Sequence, residues 1–469
     1  MLEAQTVTRP GYRAGYETLG SEIELDSLPV EGSIPEWLSG TLLRNGPAKF
    51  EVGEQPLRHW FDGLAMLHRF SFDAGRVSYA NRFLRSDAYR EAEKGRIAYS
   101  EFATDPCRSL FKRAATMFKP QLTDNCNVNL TRLGDEYIAM TETPLPVAFD
   151  PETLDSLGVA FTPPGLHATA HPHHDPERGE MIAYVTHFGP RCEYRLFAQR
   201  DRNRQRRIAS SRVREPSYMH SFALTERYAV LVAFPFVVNP LRLATGTRPF
   251  IENYEWRPER GTRVLVFNRE DGELQGEYEA EPCFSFHHVN AFERGSELVV
   301  DMAAYEDASI VDSFYLDRVR NGPPAAIPRL LRYRVALTDS RVSEEELSDA
   351  FIELPRIDYR ERNGNPYRYV YGIGSHPEDG EPDQLVKIDV ESGEALNWFE
   401  PGSYPGEPVF VPSPKGSRAE DDGVLLSVVL DSRDARSYLL VLDAAGLSEL
   451  GRAGVPHHIP FGFHGQYFS

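Results

Sequence analysis

The sequence predicts an all-β fold closed as a ring of antiparallel blades, and three observations predict it. Short runs rich in Val, Ile, Tyr and Phe recur along all 469 residues, each bounded by Gly, Asp, Asn or Pro. Many of these runs pass straight into an acidic turn, as in Phe72-Asp73-Ala74-Gly75, Asn268-Arg269-Glu270-Asp271-Gly272 and Val390-Glu391-Ser392-Gly393, which is hairpin chemistry. No regular alternation with helical segments accompanies them, which argues against a parallel α/β array. Radial blades leave few free edges, so a propeller is the economical arrangement for so many hairpins in one chain. The repeats carry no WD or kelch signature, and periodicity alone does not give the blade number.

In chain order, strands are expected at 40–44, 65–72, 137–141, 181–187, 228–234, 263–267, 297–302, 330–334, 383–389, 424–430 and 437–443. Helical signals are sparse, at 87–94, 108–118 and 343–349. No linker or low-complexity segment divides the chain, so residues 1–469 are read as one domain.

Composition narrows the function classes. Hydrophobic residues make up 41% and charged residues 26%, enough apolar mass for a full core, and disorder or coiled coil is excluded. A formal net charge of −19 repels a phosphate backbone, so nucleic acid is not expected as a partner. Lysine occurs only at Lys49, Lys94, Lys112, Lys119, Lys387 and Lys415, a bias compatible with GC-rich coding or with an acidic surface adapted to high salt. Cys107, Cys126, Cys192 and Cys283 are widely spaced, which favours free thiols in a reducing compartment over a disulfide framework. The first twenty residues lack an apolar export segment. The longest apolar stretch, 228–241, is interrupted by Pro235 and Pro240 and is too short to span a bilayer. A cytoplasmic protein is therefore expected.

Among fourteen histidines, four sit in apolar or small-residue settings near strand ends: His171 in Thr169-Ala170-His171-Pro172, His220 in Tyr218-Met219-His220-Ser221, His287 in Phe284-Ser285-Phe286-His287, and His464 in Phe461-Gly462-Phe463-His464. Their separations match no helix or zinc finger, so they meet only where distant strands share an axis, as in a propeller's central channel. Four neutral imidazoles suit a borderline divalent ion such as Fe(II), and an octahedral ion would keep two positions open. Taken singly, each is more readily read as a satisfied core histidine. Metal-bound imidazoles commonly donate their second nitrogen to a carboxylate. Glu142, Glu353 and Glu407, in apolar or proline-flanked settings, are candidates for that role, and ordinary turn carboxylates are the alternative.

Several motifs in fixed order carry a resemblance. They are Asn45-Gly46-Pro47, His59-Trp60-Phe61-Asp62-Gly63, Thr169-Ala170-His171-Pro172, Tyr218-Met219-His220-Ser221-Phe222, Phe286-His287-His288-Val289-Asn290, Ser403-Tyr404-Pro405-Gly406-Glu407-Pro408, Asp421-Asp422-Gly423-Val424 and Phe463-His464-Gly465. Together they resemble the carotenoid cleavage oxygenase family from about residue 20 to the C-terminus. Segments 104–108, 217–222 and 420–429 look closer to its animal β-carotene oxygenase and retinoid isomerase branch.

The resemblance implies a seven-bladed β-propeller with a helical and loop dome over an axial iron site. It implies Fe(2+) held by His171, His220, His287 and His464, with Glu142, Glu353 and Glu407 orienting three of them. His288 is then structural, and loop or surface roles are expected for His59, His68, His167, His173, His174, His187, His376, His457 and His458. It also implies O2-dependent cleavage of a carotenoid or apocarotenoid double bond to aldehydes, with symmetric β-carotene cleavage giving two retinals. Stilbene cleavage, a retinoid isomerohydrolase and a non-catalytic carotenoid carrier stay open as alternatives.

An insoluble polyene has to be drawn from a membrane through an aromatic tunnel. Phe61, Thr141, Tyr218 and Phe286 are candidates for its wall. The basic, amphipathic segment 108–118, followed by Lys119, is a candidate for peripheral membrane contact, with packing on the propeller rim as its alternative. Cys107, beside it, is expected to be a plain thiol.

Overall fold

The structure is a computed structural model that describes residues 11–106, 121–163, 165–245, 248–324, 326–338, 341–375, 381–414 and 419–469. The helix expected at 108–118, with Cys107, Lys119 and His376, lies outside the described residues.

Seven antiparallel sheets of four or more strands follow one another along the chain and form the seven blades of a propeller. Blade 1 contains Gly40–Lys49, Leu64–Asp73 and Arg76–Phe83, and it is completed by the C-terminal strand Gly465–Phe468, which pairs with 41–44. Blade 7, built on Gly423–Asp431, Arg436–Asp443 and Glu449–Val455, gains the N-terminal strand Val30–Gly32 at its outer edge. Both ends of the chain thus clasp the ring between blades 7 and 1.

The blades bury both faces, which explains why their central strands read as continuous apolar runs rather than as an alternation. In Tyr228–Ala233 of blade 4 every residue is buried. Side chains on a strand point alternately to opposite faces. Accordingly Ala229, Leu231 and Ala233 pack with Ile182, Tyr184 and Leu196 of blade 3, while Val230 and Val232 pack with Leu298, Val300 and Met302 of blade 5. Equivalent apolar layers fill the other junctions, for example Leu42, Phe70 and Val77 of blade 1 against Val424, Leu439 and Val441 of blade 7.

Turn chemistry sets the hairpin registers. Ala74 and Gly75 have φ of 47° and 80°, the two left-handed positions of a two-residue turn joining the blade 1 strands at Asp73 and Arg76. At Gly272, with φ 77°, an added Cβ would lie 2.0 Å from the Ile208 carbonyl oxygen of blade 3, so only glycine fits there.

All eleven expected strands occur, most extended by a few residues, and the expected helix at 87–94 is Asp87–Glu93, capped where the Tyr89 N–H donates to Ser86 Oγ at 3.1 Å. The helix expected at 343–349 is a correction. That segment lies in the strand Arg341–Phe351 at the outer edge of blade 5, paired with Arg329–Ala336. Its run of glutamates has good intrinsic helix propensity, but cross-strand pairs such as Arg329–Glu346 (2.9 Å) and Arg334–Glu345 (2.8 Å), together with the ladder itself, outweigh that weak preference. The described residues also include short helices not expected from sequence, Pro240–Thr245, Ser309–Ser313, Leu316–Val319 and Tyr359–Arg362.

Candidate metal centre

In six blades the innermost strand, or a loop at its end, brings one residue toward the axis, and in blade 2 the loop after the second strand does so. His464 precedes the closing strand of blade 1, Glu142 follows Glu136–Met140 of blade 2, and His171 lies between the two short inner strands of blade 3. His220 precedes Ala223–Leu224 of blade 4, and His287 lies in Phe284–Arg294 of blade 5. Glu353 begins the inner strand of blade 6, and Glu407 separates Ser403–Pro405 from Val409–Pro412 in blade 7.

Local irregularities aim these side chains. The blade 5 ladder shifts register between Ser285 and His288, and the bulge turns His287 inward. A second shift, between Glu353 and Arg356, coincides with Leu354 at φ 47°. Thr169 joins two blades: its Oγ1 accepts from the His171 backbone N–H at 3.0 Å and donates to the His220 carbonyl at 2.9 Å.

The four imidazoles converge. One ligand atom from each of His171, His220, His287 and His464 lies within 4.8 Å of the other three. The Nε2 atoms of His171 and His220 are 2.9 Å apart, and those of His287 and His464 are 3.1 Å apart. On the far side of each ring, Nδ1 of His220 meets Glu142 Oε1 at 2.8 Å, Nδ1 of His287 meets Glu353 Oε2 at 2.6 Å, and Nδ1 of His464 meets Glu407 Oε1 at 2.7 Å. A carboxylate accepts, so each Nδ1 carries the proton and each Nε2 presents a lone pair. Burial and the neighbouring imidazoles hold His171 well below the usual imidazole range. Burial likewise lowers His220, and it lowers His464 to about 4, against the pull of their glutamates. The Nε2 lone pairs of His287 and His464, facing one another at 3.1 Å, repel unless a cation lies between them, and nitrogen donors suit a borderline divalent metal. The cluster therefore fits a metal ion.

The three carboxylates are kept ionised by different neighbours. Burial alone would raise Glu407, but Arg356, His464 and Arg44 outweigh it and bring it down to about 2. Arg44 Nη1 is 2.6 Å from Glu407 Oε2, and the Gly465 N–H donates to the same oxygen at 2.9 Å. Glu142 and Glu353 are also lowered against burial, chiefly by His167 and His220 and by His287 respectively. Their further donors are tyrosines: Tyr218 Oη at 2.9 Å from both Glu142 oxygens, and Tyr305 Oη at 3.1 Å from Glu353 Oε1.

Two cavities meet at the cluster. One, of about 1070 Å³ including its mouth, has walls of Trp60, Phe61, Phe286, Ile310, Phe314 and Phe463, with His220, His287 and His464 among its lining. The other, of about 1380 Å³ including its mouth, is lined by Asn129, Thr131, Arg132, His174, Arg356 and Gln466, with His171, His287 and His464 at its head.

Of the residues expected to line an aromatic tunnel, Phe61 and Phe286 are on the wall of the apolar cavity. Tyr218 and Thr141 are not among its lining residues. Tyr218 is fully buried and serves Glu142 instead, because a buried phenol and a buried carboxylate each need a partner. His68 and His167 are corrections too, buried in the strands Leu64–Asp73 and His167–Ala168, while His59 lies in a loop as expected but is buried there. His59 Nδ1 accepts from the Phe61 N–H at 3.1 Å, and His68 Nδ1 is 2.9 Å from Tyr79 Oη. His288 is held through Nδ1 by Ser221 Oγ at 2.8 Å.

Sequence reasoning missed Arg44, Arg356 and Tyr305. Arg44 carried a readable signal, a lone cation in the apolar run Thr41-Leu42-Leu43 just before Asn45-Gly46-Pro47. Arg356 and Tyr305 have no local sign of their role.

Comparison with known proteins agrees with this architecture. The family model described as retinal pigment epithelial membrane protein matches residues 16–469. A carotenoid isomerooxygenase from Galleria mellonella is 35% identical over 93% of this chain and 92% of its own length. The β,β-carotene 15,15'-dioxygenase of Gallus gallus is 33% identical over 93% of this chain and 94% of its own. The cobalt-substituted apocarotenoid oxygenase from Synechocystis superposes with a TM-score of 0.88 at 29% identity, covering 98% of both chains.

Proposed function

Because the chain belongs to the retinal pigment epithelial membrane protein and carotenoid oxygenase family, we propose that it is a non-haem Fe(2+) dioxygenase that cleaves a double bond of a carotenoid or apocarotenoid. The observation that carries this reading is the placement of the four-histidine cluster in the wall of an apolar, aromatic cavity. The preferred cut is assigned to the central double bond, as the name of the Gallus gallus relative suggests, with β-carotene as reference substrate and retinal as product.

In this reading His171, His220, His287 and His464 hold the ion, and Glu142, Glu353 and Glu407 fix the ring orientations through Nδ1. Bound Fe(2+) supplies the activation of O2 toward an alkene. The reaction balances without an added reductant: one C=C bond and the O–O bond break, two C=O bonds form, and each aldehyde takes one oxygen atom. The chain's own contribution is registration. Phe61, Phe286 and Phe314 exclude water and seat the polyene so that one double bond lies beside the cluster. Phe61 and Phe286 also touch the metal shell, with ring centroids 6.5 Å and 5.5 Å from that of His220.

No helix among the described residues is long and apolar enough to cross a membrane. Peripheral contact of a cytoplasmic enzyme with a bilayer is supported by the insolubility of the substrate and by the basic, amphipathic sequence of 108–118.

The test is to incubate iron-loaded protein with β-carotene and β-apocarotenals in detergent under 18O2 and identify products by chromatography and mass. Labelled aldehydes are the expected result. Unlabelled geometric isomers would overturn cleavage in favour of isomerisation, the second activity in the name of the Galleria mellonella relative.

A further inference from the structure

We infer that Glu381 is a polar anchor in the apolar cavity, placed to hold an oxygen atom at the end of a polyene. The inference rests on the polyene reading above and sharpens it: β-carotene stays the reference substrate, and polyenes with a terminal oxygen are held more tightly.

Glu381 lies at the open end of blade 6, where the Asp383 N–H donates to the Gly374 carbonyl at 3.0 Å, and it is part of the cavity lining. The residue is 5% exposed. Tyr16 Oη donates to its Oε1 at 3.1 Å, whereas Oε2 is buried and has no hydrogen-bond partner among the described residues. A carboxyl oxygen left without a partner in such a setting is costly, and a bound ligand atom would relieve it. The same wall leads to the metal cluster: the Tyr16 ring is 5.5 Å from Trp60, Trp60 is 4.5 Å from Phe463, and Phe463 adjoins His464.

Burial, against the Tyr16 hydrogen bond and with the help of Asp383, pushes the Glu381 carboxyl up to about 8, so it is protonated at neutral pH. With Oε1 accepting from Tyr16, the proton belongs on Oε2, which makes that atom a donor with no acceptor among the described residues. A hydroxyl or an aldehyde at a polyene terminus supplies one. A pure hydrocarbon does not.

The test is binding to metal-free protein, followed by quenching of tryptophan fluorescence, with β-carotene, a β-apocarotenal and a ring-hydroxylated carotenoid in the same detergent. The wild type is expected to bind at least one oxygenated polyene more tightly than β-carotene. That ratio should fall roughly tenfold in Glu381→Leu and be retained in Glu381→Gln, whose amide still accepts from Tyr16 and donates to the ligand. Whether the aldehyde, the hydroxyl or both respond identifies the oxygen. A ratio within about twofold of wild type in Glu381→Leu overturns the anchor while leaving the polyene reading intact. Failure of all three polyenes to bind overturns both.

Discussion

The two cavities that meet at the histidine cluster differ in their linings, one aromatic and the other mixed. The one beneath the loops and short helices is walled by aromatic rings, and two of its three histidines, His220 and His287, lean on Glu142 and Glu353, each of which also accepts from a tyrosine hydroxyl. The one along the blades sets amides, hydroxyls, histidines and arginines beside apolar residues such as Leu130 and Ile357, and Glu407 at its head is held by Arg44 and Arg356. His287 and His464 line both. The contrast teaches that one set of seven axial residues can serve two environments. Neutral phenols satisfy a carboxylate beside a dry chamber without adding a charge there, while guanidinium groups do so where polar neighbours share the field.

The largest effect expected from breaking this arrangement comes from the shared imidazoles. His464→Ala should lower bound metal per protein by roughly tenfold or more, read by elemental analysis, and abolish turnover in a product assay. Next, Glu407→Gln and Glu353→Gln should each weaken metal affinity roughly 10- to 100-fold in competition with a chelator. Only Glu407→Gln deprives the buried Arg44 of its counter-charge, so it alone should also cost about 3–5 kcal/mol in denaturant unfolding. Equal stability losses would show that the electrostatic contrast is not real.

On the apolar side, Phe314→Ala should reduce polyene affinity of the metal-free protein by about tenfold in fluorescence titration. Glu381 adds a dependence on pH. Its native carboxyl titrates near 8 against an ordinary 4.5, so between those values the folded chain keeps a proton the unfolded chain has lost. Wild-type stability should therefore fall as pH rises through that window, by about 2–4 kcal/mol relative to Glu381→Gln, measured by urea unfolding at pH 5 and pH 8.5. The smallest effect is expected in the polar cavity, where His174→Ala should change polyene affinity by less than about twofold.

Much of the chemistry is legible locally. The hairpin turns, the strand runs and the four histidines in apolar settings are all readable, because backbone period, turn chemistry and residue type are properties of short segments. The glutamates were legible only as anomalies, carboxylates in places where burial needs a partner. What failed did so for a common reason. The glutamate-rich segment 343–349 prefers a helix by itself but is held as a strand by its neighbour, and Tyr218 looked like a tunnel wall until its hydroxyl was found on Glu142. In both cases the deciding partner is remote in sequence.

The chain by itself thus determined the all-β class, the residue types of the metal site and the family motifs that order them. Only the tertiary structure decided that ligand nitrogens of His171, His220, His287 and His464 gather within 4.8 Å of one another, that Arg44 and Arg356 attend a single glutamate, and that Glu381 lines the aromatic cavity. The physical reason is that a metal centre on a propeller axis depends on contacts between strands from different blades. Those contacts join residues far apart in the sequence.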